Sequence, residues 1–452
     1  MNHNRLFFDY LATMGILNPM QVHEVVYKLN GGEIIEFFTE CYKLLEKDFQ
    51  PAKSNFEFAA SSSMSGEPFN NNDLLYRVYK IGELSEFAIL YSDVVWIRNP
   101  LEKYGYGNAS LFDENGIQNF ANDICVLMFL QDLIHEGIVK IAATTKSYTE
   151  KELKDIQSRF PKDFENTLKE LEFQLKEIFK ENMSFKLIEH EGEFGIEFTA
   201  KGIAEKTIER KLGFLNWSST EDEIPKFIEK AFKKKSKKIA KKHLNKSGLL
   251  SHFVYPIIND LSFQNWFNNG FGQNYITDRE IDLELINKLN KNKNANNSQK
   301  ITNGLKHALP TLANARIEDL LRVRKNETDA FVVYRNSMNA LLDNGKDLSE
   351  KDMVQIIDDV IKPQIDKIQL TLSSTKKSIK GKATGEVIIG SGIISFALFS
   401  GLLSPEMASG ITTLAGFHNS YKIGKGIWDY KSSEAQIRDN NYFFLWKVMN
   451  GK

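Results

Sequence analysis

FAILYSDVVWIRNP, residues Phe87 to Pro100, sets the class of the first region. Its β-branched and aromatic side chains, bounded by Asn99-Pro100, predict one or two strands over Phe87 to Ile97. Downstream, Ile117, Phe120, Ala121, Ile124 and Met128 recur at helical spacing. Gly137 ends that helix, and Ile138 to Ala142 predicts a short strand. Upstream, Asn18-Pro19 opens a helix that turns Val22, Val25, Val26 and Leu29 to one face. Asn30-Gly31-Gly32 stops it, and Ile34 to Leu45 forms the next. A serine-rich loop, Ala59 to Gly66, separates these from Leu74 onward. Residues 1–145 therefore read as an N-terminal α+β region.

Residues 146–290 read as a mainly helical region with a β-hairpin. Phe164, Leu168, Leu171, Leu175 and Ile178 form one stripe of an amphipathic helix that begins after Pro161. Phe185 and Leu187, then Phe194, Ile196 and Phe198, alternate with polar residues around a turn at Gly192, which predicts a hairpin. Lysines then crowd residues 226–246, with Lys233, Lys234, Lys237, Lys238, Lys241 and Lys242 at their centre. Phe227, Ile228, Ala231, Phe232 and Ile239 add a narrow apolar stripe. The pattern predicts a basic amphipathic helix, suited to non-specific contact with nucleic acid, an anionic membrane surface or an acidic partner. A solvated lysine face explains the same run. Arginine, the bidentate reader of phosphates and bases, is absent from the cluster, so sequence-specific readout is not expected.

The Asn-rich segment 291–299 reads as a linker, and residues 300–452 as a C-terminal helical domain. A long helical stripe carries Leu320, Leu321, Phe331, Tyr334, Met338 and Leu341, and Ser349 caps the next helix. Val387 to Pro405, VIIGSGIISFALFSGLLSP, is the longest stretch without a formal charge. With Met407 to Phe417 it predicts an apolar helical hairpin over 387–417. Val387, Ile388, Gly392, Ile394, Phe396, Leu398 and Leu402 would supply its membrane or interface face. At ~1.5 Å per residue the first arm reaches about 29 Å, enough to cross a bilayer core. The second arm is short, carries Ser409, Thr412 and Thr413, and follows Glu406, which favours burial against protein over insertion.

At 452 residues the chain exceeds what one core supports, and two or three domains are expected. The net charge of −1 leaves polyanion attraction to local patches. Two cysteines, Cys41 and Cys125, are too few for a disulfide framework and suit a reducing compartment. The N-terminus lacks a basic segment followed by an apolar one, so a cytoplasmic protein is expected.

Catalytic signatures are missing. No G-x-x-x-x-G-K-[ST], H-E-x-x-H or G-x-S-x-G occurs, and the eight histidines do not cluster with ligand spacing. Glu386 to Ser395 imitates a dinucleotide turn at Gly390 and Gly392. Only about sixty residues follow it, and no acid-terminated second strand appears among them. No catalytic residue, metal or cofactor is assigned.

The stretches SDVVWIRNPL (Ser92 to Leu101), LLRVRKNETDAFVVYRNSMNALL (Leu320 to Leu342) and NNYFFLWKV (Asn440 to Val448), with the small-residue hairpin, carry one resemblance. Through them the chain resembles uncharacterised bacterial proteins encoded near mobile-element and phage-defence genes. That resemblance implies an antiviral defence role, with no catalytic residues and no cofactor. Taken together, the expectation is a mainly α protein with small β elements that acts in interaction or assembly. Its partner would be another protein or a further copy of the chain. The alternatives are a membrane-active effector that inserts 387–417, and a nucleic-acid-binding protein or nuclease with a dispersed site.

Overall fold

The computed structural model describes residues 3–45, 57–65, 74–104, 114–142, 148–158, 164–190, 193–208, 210–216, 237–245, 247–271, 274–277, 279, 281–282, 310–313, 321, 324–325, 355, 359, 388–391, 395–397 and 411–413. The architecture is mainly α with small β sheets.

Helices α1 (His3–Thr13), α2 (Pro19–Val26) and α3 (Gly31–Leu45) come first. Their ends follow local chemistry. Asn18 Oδ1 accepts from the Met20 amide with Pro19 at the first helical position. Asn30 accepts from the amides of Gly32 and Glu33, and Glu33 in turn accepts from the Asn30 amide, a complete capping box. Strand β1 (Glu57–Ala60) leads to α4 (Leu74–Tyr91), and β2 (Val94–Ile97) leads to α5 (Glu114–Phe129) and α6 (Gln131–His135). Gly137, at φ +72°, then turns the chain into β3 (Val139–Ile141). Its amide donates to the Ile134 carbonyl, and the Ile138 amide donates to that of Leu133, a glycine-capped helix end.

Phe87 to Tyr91, read as strand, is the last part of α4. Phe87, Ala88 and Ile89 are all buried in the first core. A helix packed so deeply shows a continuous apolar run that periodicity cannot separate from a strand. Val94 to Ile97 is extended as expected.

The middle of the chain builds a second unit. Helices α7 (Glu150–Ser158) and α8 (Phe164–Asn182) precede β4 (Met183–His190) and β5 (Glu193–Ala200), which pair as the predicted antiparallel hairpin. Helix α9 (Gly202–Ile208) and β6 (Leu212–Asn216) follow, with β6 antiparallel to β5. Leu171, Leu175 and Ile178 of α8 pack with Phe185, Leu187, Ile196 and Phe198 of the sheet. Gly213 lies directly under Phe198: a Cβ there would overlap the ring edge and sit 3.0 Å from Arg210 Cδ. Gly213→Ala is therefore expected to destabilise by about 1–3 kcal/mol, read as a lower urea midpoint.

The basic stretch is not one helix. Leu187 N donates to the Lys237 carbonyl and Ile239 N to that of Phe185, so residues 237–239 add an extended segment along β4. Lys237 has φ +47°, and Lys241–Leu244 form a single helical turn, α10. Lysines four apart on a helix repel, whereas the extended path buries Ile239 in the second core. Lys233 and Lys234 lie outside the described residues.

Helix α11 (Leu249–Phe271) then joins the two units. Leu250, Phe253, Val254 and Ile257 belong to the second core, and Phe263 packs against Ala59, Val94, Trp96 and Ala142 of the first sheet. The helix ends just before β7 (Asn274–Thr277), a strand of that first sheet.

In the C-terminal region β8 (Pro310–Ala313) pairs with β9 (Ile388–Ser391), while β10 (Ser395–Ala397) and β11 (Ile411–Thr413) extend the first sheet beyond β7. In its described segments, then, the stretch 387–417 is strand and not helical hairpin. Ile388 and Phe396 lie in β9 and β10. A run of Ile and Phe broken by glycine fits short paired strands as well as it fits a helix. Val387, Gly392, Ile394, Leu398 and Leu402 lie outside the described residues. So do the linker 291–299, the Ser349 cap, the aromatic tail and nearly all of the stripe from Leu320. Among the described residues no helix is long and apolar enough to cross a membrane.

Candidate functional site

The first sheet carries four parallel strands in the order β3-β2-β1-β7, followed by antiparallel β10 and β11. From β1 the chain moves to β2 and β3 on one side, then returns to place β7 on the other. Right-handed crossovers in opposite directions must put their helices on opposite faces. The packing agrees. Phe58, Ala60, Val95, Ile97, Val139 and Ile141 face α4 and α5, while Ala59, Val94 and Trp96 face Phe263 of α11. Strand order thus reverses between β1 and β7, the position at which an open parallel sheet leaves a crevice outside its carboxyl ends.

Three loops meet at that edge. The turn after β1 is serine-rich: Ser61, Ser63 and Ser65 are buried, and Ser61 Oγ lies 3.1 Å from Ser63 Oγ. The Ser65 amide donates to the Ser61 carbonyl, and the Ser61 amide to that of Ile276 in β7.

The loop after β7 carries a buried charge cluster. Arg279 donates through Nη2 to Asp260 (2.5 Å) and to Asp282 (2.8 Å), and through Nε to Asp282 (3.0 Å). Thr277 Oγ1 donates to the same Asp282 oxygen, and Asp260 accepts from the Ser62 amide at 3.0 Å. One guanidinium therefore ties α11, β7 and the serine turn together. Burial pushes the Asp260 carboxyl above its usual range; Arg279 opposes the rise and Asp282 adds to it.

The loop after β2 carries the third set. Arg98 donates to Glu102 (3.0 Å) and lies over the Phe263 ring. Asn99 Oδ1 accepts from the Leu101 amide at 2.9 Å. The 3-10 turn Glu102–Tyr104 then delivers Lys103 Nζ (2.8 Å) and the Tyr104 hydroxyl (2.6 Å) to Asp123 Oδ2. Arg77, from the start of α4, donates to Asp123 Oδ1 at 2.5 Å. Burial alone would raise the Asp123 carboxyl. The charges of Lys103 and Arg77, with hydrogen bonds from Lys103 and Tyr104, outweigh it and hold the group below the usual carboxylate range.

The second core closes over this edge. Leu261, next to Asp260, and Ile281, next to Asp282, are both part of it. The reversal of strand order thus lies where the two units meet.

Of the residues singled out from sequence, Phe396 lies in β10 beside Ile276 of β7, and the described lysines lie elsewhere. Lys237 is half-buried beside β4, while Lys238, Lys241 and Lys242 are exposed on the second unit, with Lys241 paired to Glu181 at 2.8 Å. Such an exposed pair adds little to stability. Cys41 and Cys125 are buried; burial raises both thiols, that of Cys125 to about 12, so neither is a reactive thiolate. Among the described residues no group of His, Cys, Asp or Glu is arranged to hold a metal ion. The sequence predicts a loop over Ala59 to Gly66 within the first region, whereas Ala59 and Ala60 complete β1 and the serine turn follows them. Its one available signal was its place directly between a strand and a helix, which marks a βα turn. No family model, no curated protein and no solved structure matches the chain.

Proposed function

We propose that the chain binds a small anionic ligand of the nucleotide class in the crevice between β1 and β7. The reversal of strand order carries this reading, because in open parallel sheets ligands bind outside the carboxyl ends of the strands at such a point. The lining supports it. A turn of small hydroxyl residues lets backbone come close to a ligand, and Arg98 and Lys103 bring positive charge from partly exposed positions. The second unit at the same edge would shield the ligand from water. This makes the protein a binding component, in line with an interaction or assembly role, and assigns it no reaction.

Thermal unfolding with ATP, GTP, NAD or pyrophosphate, with glucose as a neutral control, tests the reading. A ligand at a hundredfold excess over its Kd adds about 2.7 kcal/mol, a rise in melting temperature of several degrees for a chain of this size. The expected result is such a rise with at least one of the anions and none with glucose. Unchanged melting at millimolar levels of all four anions would overturn the proposal.

A further inference from the structure

At the carboxyl end of β2, Asn99 is 2% exposed, and its Nδ2 has no hydrogen-bond partner. The amide cannot be turned around to relieve this. Oδ1 is already fixed by the Leu101 amide at 2.9 Å, so the open end of the side chain is the donor. A buried donor left unmade destabilises a fold, and native proteins hold few of them. An acceptor at this point would remove the penalty.

The surroundings indicate which acceptor. Asn99 begins the turn whose far end sets Lys103 Nζ at 2.8 Å from Asp123. Arg77 reaches the same carboxylate from the first turn of the 18-residue helix α4, whose N-terminal end carries partial positive charge. Lys103 is 43% exposed, so a solute can reach it. Arg77, from the first turn of α4, and Lys103 thus meet at Asp123 on the α4 side of the edge, and the unpartnered amide donor of Asn99 begins the same turn as Lys103.

We propose that Asn99 Nδ2, Lys103 and the N-terminal turn of α4 with Arg77 bind the phosphate group of the nucleotide, with the rest of the ligand lying toward β7. This inference rests on the anionic-ligand reading above and places its charged end.

Calorimetric titration of the full chain with ATP, GTP, adenosine and guanosine tests it. Asn99→Asp keeps the oxygen that accepts from Leu101 while replacing the donor with negative charge. Lys103→Met removes the exposed cation, and urea unfolding of both variants checks that they fold. Wild type should bind a nucleotide more tightly than its nucleoside. Both variants should weaken nucleotide binding at least tenfold and change nucleoside binding less than twofold. Nucleotide binding that is unchanged in both folded variants would overturn this placement and leave the crevice as a ligand site. No binding of either nucleotide by wild type, with NAD and pyrophosphate also inert, would overturn both readings. Should Asn99→Asp fail to fold, Asn99→Ser and Lys103→Met carry the same comparison.

Discussion

Replacing Arg279 with methionine is expected to lower stability by about 3–5 kcal/mol at neutral pH, the range for breaking one partner out of a buried ion pair. Methionine keeps much of the side-chain volume, so the loss is electrostatic and not a cavity effect. Asp260 and Asp282 are almost wholly buried and both depend on this guanidinium, while Asp260 also holds the serine turn through the Ser62 amide. The consequence should reach three elements at once: α11, β7 and the turn after β1.

The pH dependence separates this variant from one that merely packs badly. In the native chain burial already holds Asp260 above its usual range against the pull of Arg279. Without that cation its folded value rises further. A carboxyl raised in the folded state is penalised at high pH, and the penalty fades as pH falls through the raised value toward the unfolded one near 3.9. Urea midpoints of the variant should therefore approach those of wild type between neutral pH and about pH 4. A gap that stays constant over that window would show that the carboxylates do not drive the loss.

What could be read in the chain beforehand divides along physical lines. The ends of α2 and α3, the glycine-capped path into β3, the stripe of α8 and the β4–β5 hairpin depend on residues within a few positions of one another. Asn18-Pro19, Gly137 and the alternation of Phe185 with Leu187 announce them directly. The parallel sheet does not announce itself. Its strands are three or four residues long, and β7 joins β1 from more than two hundred positions away. The candidate site is harder still, because its parts share no motif. Ser62 and Asp260 are 198 residues apart, and Arg77 and Asp123 are 46 apart. The lysine run misleads for the opposite reason: it has helical spacing, but the edge of β4 and the burial of Ile239 outweigh local propensity.

Asp123→Asn should destabilise the first unit by about 3 kcal/mol or more at neutral pH. Asparagine preserves the shape and can still accept from Tyr104, but it removes the charge that faces Arg77 and Lys103. These two cations respond differently. Lys103, 43% exposed, can turn its ammonium into water, whereas Arg77, 3% exposed, cannot. Most of the loss thus traces to the buried guanidinium, and Lys103→Met should by comparison change stability little. Here the sign of the pH effect is fixed by a depressed carboxyl. Its contribution is fully present above the unfolded value near 3.9 and is lost as pH falls through the lower folded one. The gap between wild type and Asp123→Asn should therefore stay level from neutral pH down to about pH 4 and close only below it. The Arg279 variant should begin to recover well above that point. Urea midpoints taken at intervals from pH 7 to pH 3 would resolve the two onsets. A shared onset would mean that the two buried clusters titrate as one network across the carboxyl edge, and the separate roles assigned to them would fall.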